Sequence, residues 1–168
     1  KKVINLTSYS KKRTYKDLYL DSVRAETKQA IATLYEVGSF NKLQYQDFPN
    51  TKDEIDNYLD SLNWSRPWNA GAQFSALCVF TTTQLDNNEA EHNANYLYKY
   101  LEKVLNKETG LYHKNIEVGL NEKINGTMKV ITGLDWIEKP IHYPEKIIDF
   151  CLKVDPGSEG CDIVDLVY

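Results

Sequence analysis

Apolar positions recur at helical spacing along most of the chain. Between Tyr15 and Val37, residues Tyr19, Val23, Ala30, Leu34 and Val37 stand three, four or seven apart, which predicts one long helix stopped by Gly38. Ser39 to Asn50 carries no period. Thr51-Lys52-Asp53-Glu54 then reads as a capping box opening a short amphipathic helix with Ile55, Leu59 and Leu62 inward. A polar and aromatic connection, Asn63-Trp64-Ser65-Arg66-Pro67-Trp68, leads to Ala70–Leu85, which is apolar or small all round the helical wheel and so predicts burial on every side. Asn88 to Asn106 is amphipathic again, with Ala90, Ala94, Leu97, Tyr98, Leu101, Val104 and Leu105 inward and Glu89, Glu91, Lys99, Glu102 and Lys103 outward. Beyond a second connection, Lys107 to His113, the stretch Ile124–Ile137 mixes apolar residues with the small Gly126, Thr127, Thr132 and Gly133, and also reads as buried. His142-Tyr143-Pro144-Glu145 begins a third amphipathic helix, Pro standing where its missing N–H costs nothing, with Ile147, Ile148, Cys151 and Leu152 as its stripe. Asp155 to Gly160 turns the chain into a last apolar helix, Cys161 to Tyr168. No segment alternates as a strand does.

Amphipathic and wholly apolar helices thus alternate in three pairs beginning near Thr51, Asn88 and Tyr143. A recurrence of about 40 residues is typical of helical arrays, in which an apolar helix is buried only when its neighbours stand beside it. The expected fold is all-α: an array of helical hairpins forming an incomplete α/α toroid. It would occupy residues 1–168 as one domain, with 1–50 a less regular part built on one long helix. An irregular helical bundle is the alternative reading of the same pattern.

Composition narrows this picture. The 168 residues are 42% hydrophobic and 26% charged, values of a folded globular chain, and the net charge of −4 is opposite to that of a nucleic-acid-binding surface. The basic cluster Lys11-Lys12-Arg13 is short, and no apolar run suits a membrane span. Cys78, Cys151 and Cys161 are an odd, scattered set that fits reduced thiols in a cytoplasmic setting better than disulfides. Lys1 and the apolar run ending at Tyr168 read as cut ends, so a fragment of a larger toroid is expected and secretion stays open. Asn5, Asn63 and Asn125 head formal glycosylation triplets of the kind that arise by chance in an Asn-rich chain.

The segment Glu108-Thr109-Gly110-Leu111-Tyr112, followed by Ile124-Asn125-Gly126-Thr127-Met128-Lys129-Val130-Ile131-Thr132-Gly133-Leu134, resembles α/α-toroid proteins. That superfamily includes terpenoid cyclases, protein prenyltransferases, and toroidal polysaccharide lyases and glycosidases. Their inner helices, rich in small residues, commonly follow such a turn. The likeness spans about Thr51 to Tyr168 and is one of repeat style, so it implies fold more than function. Trp68-Asn69-Ala70-Gly71-Ala72-Gln73 and Gly160-Cys161-Asp162-Ile163-Val164-Asp165 look like the corresponding openings of two other inner helices. A closed six-pair ring takes roughly 240 residues, more than this chain has.

In such an array the N-termini of the inner helices meet on one face. That face would carry Asn63, Trp64, Arg66, Trp68, Asn69 and Gln73, then Tyr112, His113 and Asn125, then Glu159, Asp162 and Asp165. Converging helix N-termini favour anions, so a carbohydrate or similar anionic small molecule is the expected ligand. Trp64 and Trp68 are candidates to stack on sugar rings and Arg66 to hold a carboxylate, although packing explains either Trp alone more simply. His113 and Tyr112 are candidates for a base and acid pair. Asp162 most simply caps its helix and is also a candidate catalytic carboxylate. Asp149-Phe150-Cys151 resembles the D-x-C zinc ligands of protein prenyltransferases, but no His follows it, and a buried thiol is the better account. The chain has no terpenoid-cyclase acidic motif, P-loop, G-x-G-x-x-G turn, H-E-x-x-H helix or G-x-S-x-G elbow, so neither metal nor cofactor is expected. The expectation from a different class is a noncatalytic interaction module completed by a further domain or a second copy.

Overall fold

A computed structural model describes residues 14–114, 117–155 and 160–167, the last segment with side chains from Ile163 onward. The regular elements are α1 (Tyr15–Glu36), α2 (Lys52–Ser61), α3 (Pro67–Gln84), α4 (Asn87–Tyr100, continued by a 3-10 turn at Leu101–Lys103), α5 (Leu120–Trp136), α6 (Pro144–Cys151) and α7 (Gly160–Val167). Among the described residues there is no strand, only an isolated bridge between Leu105 and Tyr112. All the regular elements among the described residues are helices.

Local chemistry sets the helix ends. Thr51 and Glu54 form the expected capping box, the Glu54 amide donating to Thr51 Oγ1 at 3.4 Å and the Thr51 amide to Glu54 Oε2 at 3.2 Å. These bonds hold the Glu54 carboxyl below the usual carboxylate range. Thr14 and Asp17 build the same device at the start of α1. Gly38 (φ 69°) ends α1: its amide donates to Tyr35 O at 2.9 Å and that of Ser39 to Leu34 O at 2.8 Å, the paired bonds of a Schellman motif. The same motif ends α5, with Glu138 (φ 52°) in the position glycine would fill.

α3 packs most extensively against α5, α1 also lies against α3, and α7 lies against α5, so α1, α3, α5 and α7 follow one another in a row. On the other side α4 packs on α3 and α2 on α4. The core centres on α3, where Phe74, Leu77, Cys78, Val79 and Phe80 have 0–1% of their surface exposed. α3 and α5 meet backbone to backbone. A Cβ on Gly126 would lie 2.6 Å from the Pro67 carbonyl carbon, one on Gly71 2.6 Å from Gly126 O, and one on Gly133 3.0 Å from Ser75 Cα. Gly71, Gly126 and Gly133 of the two predicted inner helices are therefore points at which they touch. The aperiodic stretch 39–50 is fastened by Gln84 at the end of α3, whose Oε1 accepts from the Tyr45 amide at 2.8 Å and from Asn41 Nδ2 at 2.9 Å. Phe48 packs its ring on Phe80.

Three expectations change. The stripe on α1 is rotated: Tyr19, Leu34 and Val37 are exposed at 61%, 36% and 73%, while Leu18, Asp21, Ile31 and Ala32 are buried. The face turns because Asp21 is taken inside. The Tyr58 hydroxyl lies 3.1 Å from its Oδ1, Gln73 Nε2 donates to its carbonyl at 3.3 Å, and the Arg24 guanidinium stands 3.6 Å from the carboxylate. α5 is only half-enclosed, since Met128, Ile131 and Thr132 keep part of their surface open. α7 is not waterless, for Ile163, Val164 and Val167 are 44%, 64% and 81% exposed: it has α5 as a neighbour within the row, whereas α3 has both α1 and α5.

Candidate functional site

The expected face begins at the first turn of α3. Asn63 Oδ1 accepts from the Ser65 amide at 3.1 Å, and the Arg66 amide donates to Asn63 O at 2.8 Å, so the connection arrives in a tight turn with Pro67 at the first helical position. The connection after α4 comes alongside: the Lys114 amide donates to Trp64 O at 2.9 Å, and Ser65 Oγ donates to Lys114 O, also at 2.9 Å. Two of the three predicted loops therefore meet. The third, residues 156–159 with Glu159, lies outside the described residues, as does the side chain of Asp162 in the first turn of α7.

Five of the predicted residues, Trp64, Gln73, Tyr112, His113 and Asn125, face inward once there. Trp64 is 2% exposed and its Nε1 donates to Leu59 O at 3.1 Å, so it is a core side chain. Gln73, 5% exposed, belongs to the Asp21–Tyr58 network, with its Oε1 2.8 Å from the Tyr58 hydroxyl. Asn125 is fully buried inside α5, so the folded chain has no room for a glycan there. Arg66, Trp68 and Asn69 do reach solvent, Trp68 with 39% of its surface. The Trp68 amide, among the α3 N-terminal donors that would draw an anion, already donates to Glu122 Oε2 of α5 at 3.1 Å.

Tyr112 and His113 are both buried, at 0% and 7% exposure, so neither stands open in the loop. Their backbone is set by the Tyr112 amide donating to Thr127 Oγ1 at 3.2 Å and the His113 amide to Val104 O at 2.8 Å. The Tyr112 hydroxyl meets His142, 3.0 Å from Nδ1, and accepts from the His142 amide at 3.2 Å. Tyr98 lies flat on the imidazole, with centroids 4.3 Å and planes 15° apart. Burial pushes the Tyr112 phenol well above its ordinary range. It also holds the His142 imidazole below its own, against the opposing charge of Glu102. A phenol closed to solvent and kept protonated is a structural hydrogen-bond donor.

A feature that side-chain chemistry alone did not single out lies on the far flank of α5. Ile124, Met128 and Ile131 of α5, Ile147 and Cys151 of α6, and Leu166 of α7 line an open apolar groove of about 440 Å³. Partial burial there pushes the Cys151 thiol up. At its rim Ile148 and Leu152 are 58% and 80% exposed. The stripe Ile147, Ile148, Cys151 and Leu152 was legible as periodicity, but which half of it lacks a neighbour follows only from the packing of α7. Among the described residues no three His, Cys, Asp or Glu side chains gather as a metal site would require, and no helix is long and apolar enough to cross a membrane. Searches against protein-family models, curated proteins and solved structures found no match to this chain.

Proposed function

We propose that the chain is a noncatalytic helical-repeat interaction module, an arc of an α/α-toroid-like array whose α6–α7 edge takes up another apolar helical surface. The observation that carries this reading is the open groove between α5, α6 and α7, lined in part by the exposed Ile148, Leu152 and Val167, with Val164 exposed on the same helix as Val167. A row of helices in which α3 and α5 each have two row neighbours offers the next place at α7. Contiguous exposed apolar surface of this kind marks an interaction site. For the isolated chain, the same edge of a second copy is a surface of matching character, so self-association reads the property out. Sedimentation velocity over a wide concentration range should show reversible dimerisation that Val164→Asp abolishes while leaving the circular dichroism unchanged. A monomer at every concentration, identical in wild type and variant, would contradict the reading.

A second reading, a carbohydrate or similar anionic ligand, is favoured by one observation: Arg66 at the N-cap of α3 and Trp68 and Asn69 in its first turn are all exposed. Thermal-shift titration with uronates, neutral sugars and sugar phosphates tests it. A ligand that binds the native state raises the melting temperature, and Arg66→Ala should remove the response to the anionic compounds. The absence of any shift would retire it.

A further inference from the structure

His142 sits in the connection between α5 and α6, a segment whose two ends, Glu138 (φ 52°) and Tyr143 (φ 48°), are non-glycine residues in the left-handed region. Such residues persist only where their surroundings hold them. Here the hold comes from three sides. Tyr98 of α4 stacks on the imidazole at 4.3 Å, and the Tyr112 hydroxyl engages both the His142 amide and Nδ1. Gly110 (φ 78°) passes under the start of α6 so closely that a Cβ would lie 3.0 Å from Tyr143 O and 2.8 Å from Ile147 Cγ1. α6 has no fully buried residue. Its attachment therefore leans on this clasp, together with the donation of Lys146 Nζ to Lys107 O at 2.6 Å.

With its neutral proton on Nε2, the tautomer that leaves Nδ1 free to accept from Tyr112, the imidazole fits this arrangement in one charge state. Tyr112 Oη already accepts the His142 amide, so its own hydroxyl hydrogen satisfies both partners by pointing at an unprotonated Nδ1. A proton on Nδ1 aims a second donor at the same oxygen and turns the Tyr112 O–H, on a side chain with no exposed surface, away from its acceptor. The groups facing the imidazole from neighbouring elements are Tyr98 on α4, Glu102 on the 3-10 turn and Tyr112 on the following connection. The charged groups of its own segment are Glu138, Lys139, Glu145 and Lys146. The Tyr98 face and Glu102 favour the cation, and burial opposes it more strongly.

We infer that His142 is a proton-operated latch on α6: protonation undoes the Tyr98–His142–Tyr112 clasp and releases the helix that forms one wall of the α5–α6–α7 groove. The use of that groove for docking rests on the function proposed above; the latch does not. Because the closed state holds the imidazole below its ordinary value of 6.5, the open state takes up the proton more readily. The imidazole's contribution to closure is therefore fully present above that value and is lost as pH falls through the closed-state one, by up to about tenfold per pH unit in between.

Amide hydrogen exchange on the full chain, at a concentration where it is monomeric and with intrinsic rates corrected for pH, tests this. Protection of the α6 amides should fall with pH below the imidazole range by up to about tenfold per unit, while protection in α3 stays level. In His142→Gln the α6 protection should no longer depend on pH in that range, and in Tyr112→Phe it should already be low at neutral pH. The same fall in wild type and His142→Gln, or no fall in wild type, would overturn the latch. Since the readout needs no partner, failure of the docking reading leaves it untouched, and a failed latch leaves dimerisation to be judged separately.

Discussion

The α3–α5 contact and the α6–α7 edge are built from similar residue types and end in opposite states. Both regions mix apolar with small or polar side chains. At α3–α5 the small ones, Gly71, Gly126 and Gly133, let two helix backbones touch, and α1 and α4 cover the remaining sides of α3. At the edge, α6 has no fully buried residue and α7 leaves Val164 and Val167 open at 64% and 81%. Burial thus follows the number of neighbours a helix has in the row more closely than its own hydrophobicity. In the module proposed above, the edge does the docking and the interior supplies the stability.

That contrast can be broken most severely from inside. Trp64→Ala removes a ring that is 2% exposed and packed beside Tyr100, and should cost about 3–5 kcal/mol in chemical denaturation. A change confined to sugar affinity, with stability intact, would return Trp64 to the ligand face. Gly126→Ala forces a methyl into Pro67 backbone atoms at 2.6–2.8 Å and should cost roughly 1–3 kcal/mol by the same measurement. A neutral result would mean that α3 and α5 are free to separate. Glu138→Gly replaces a left-handed non-glycine residue at the end of α5 and should raise stability by about 1 kcal/mol. At the edge, Ile148→Asp should leave monomer stability within about 0.5 kcal/mol while weakening self-association. A loss as large as that of Trp64→Ala would show the edge to be core.

Much of the framework could be read from the chain. The Thr51–Glu54 box, the Gly38 stop and the burial of Ala70–Leu85 are local signals, since capping, left-handed turns and wheel composition depend on neighbours in sequence. What escaped depends on residues far apart. The α1 stripe was misplaced because Asp21 is buried by Tyr58, Gln73 and Arg24, partners that no helical period reveals. Trp64 and Trp68 differ by four positions, yet one is core and the other reaches solvent, because Leu59 and Tyr100 arrive around the first. His142 stood next to an obvious helix start and gave no chemical signal, as Tyr98 and Tyr112 are brought to it only by the fold. For the candidate site, the meeting of the first two connections was foreseeable from the alternation, but the direction each side chain takes was not.

Native-state hydrogen exchange over the whole chain at neutral pH tests the division between interior and edge most directly. Amides in the middle of α3 and α5 should exchange only through global unfolding, with denaturant dependence equal to that of the whole molecule, while those of α6 and α7 exchange through small openings that denaturant hardly affects. Equal protection and equal denaturant dependence in α3 and α6 would contradict the account.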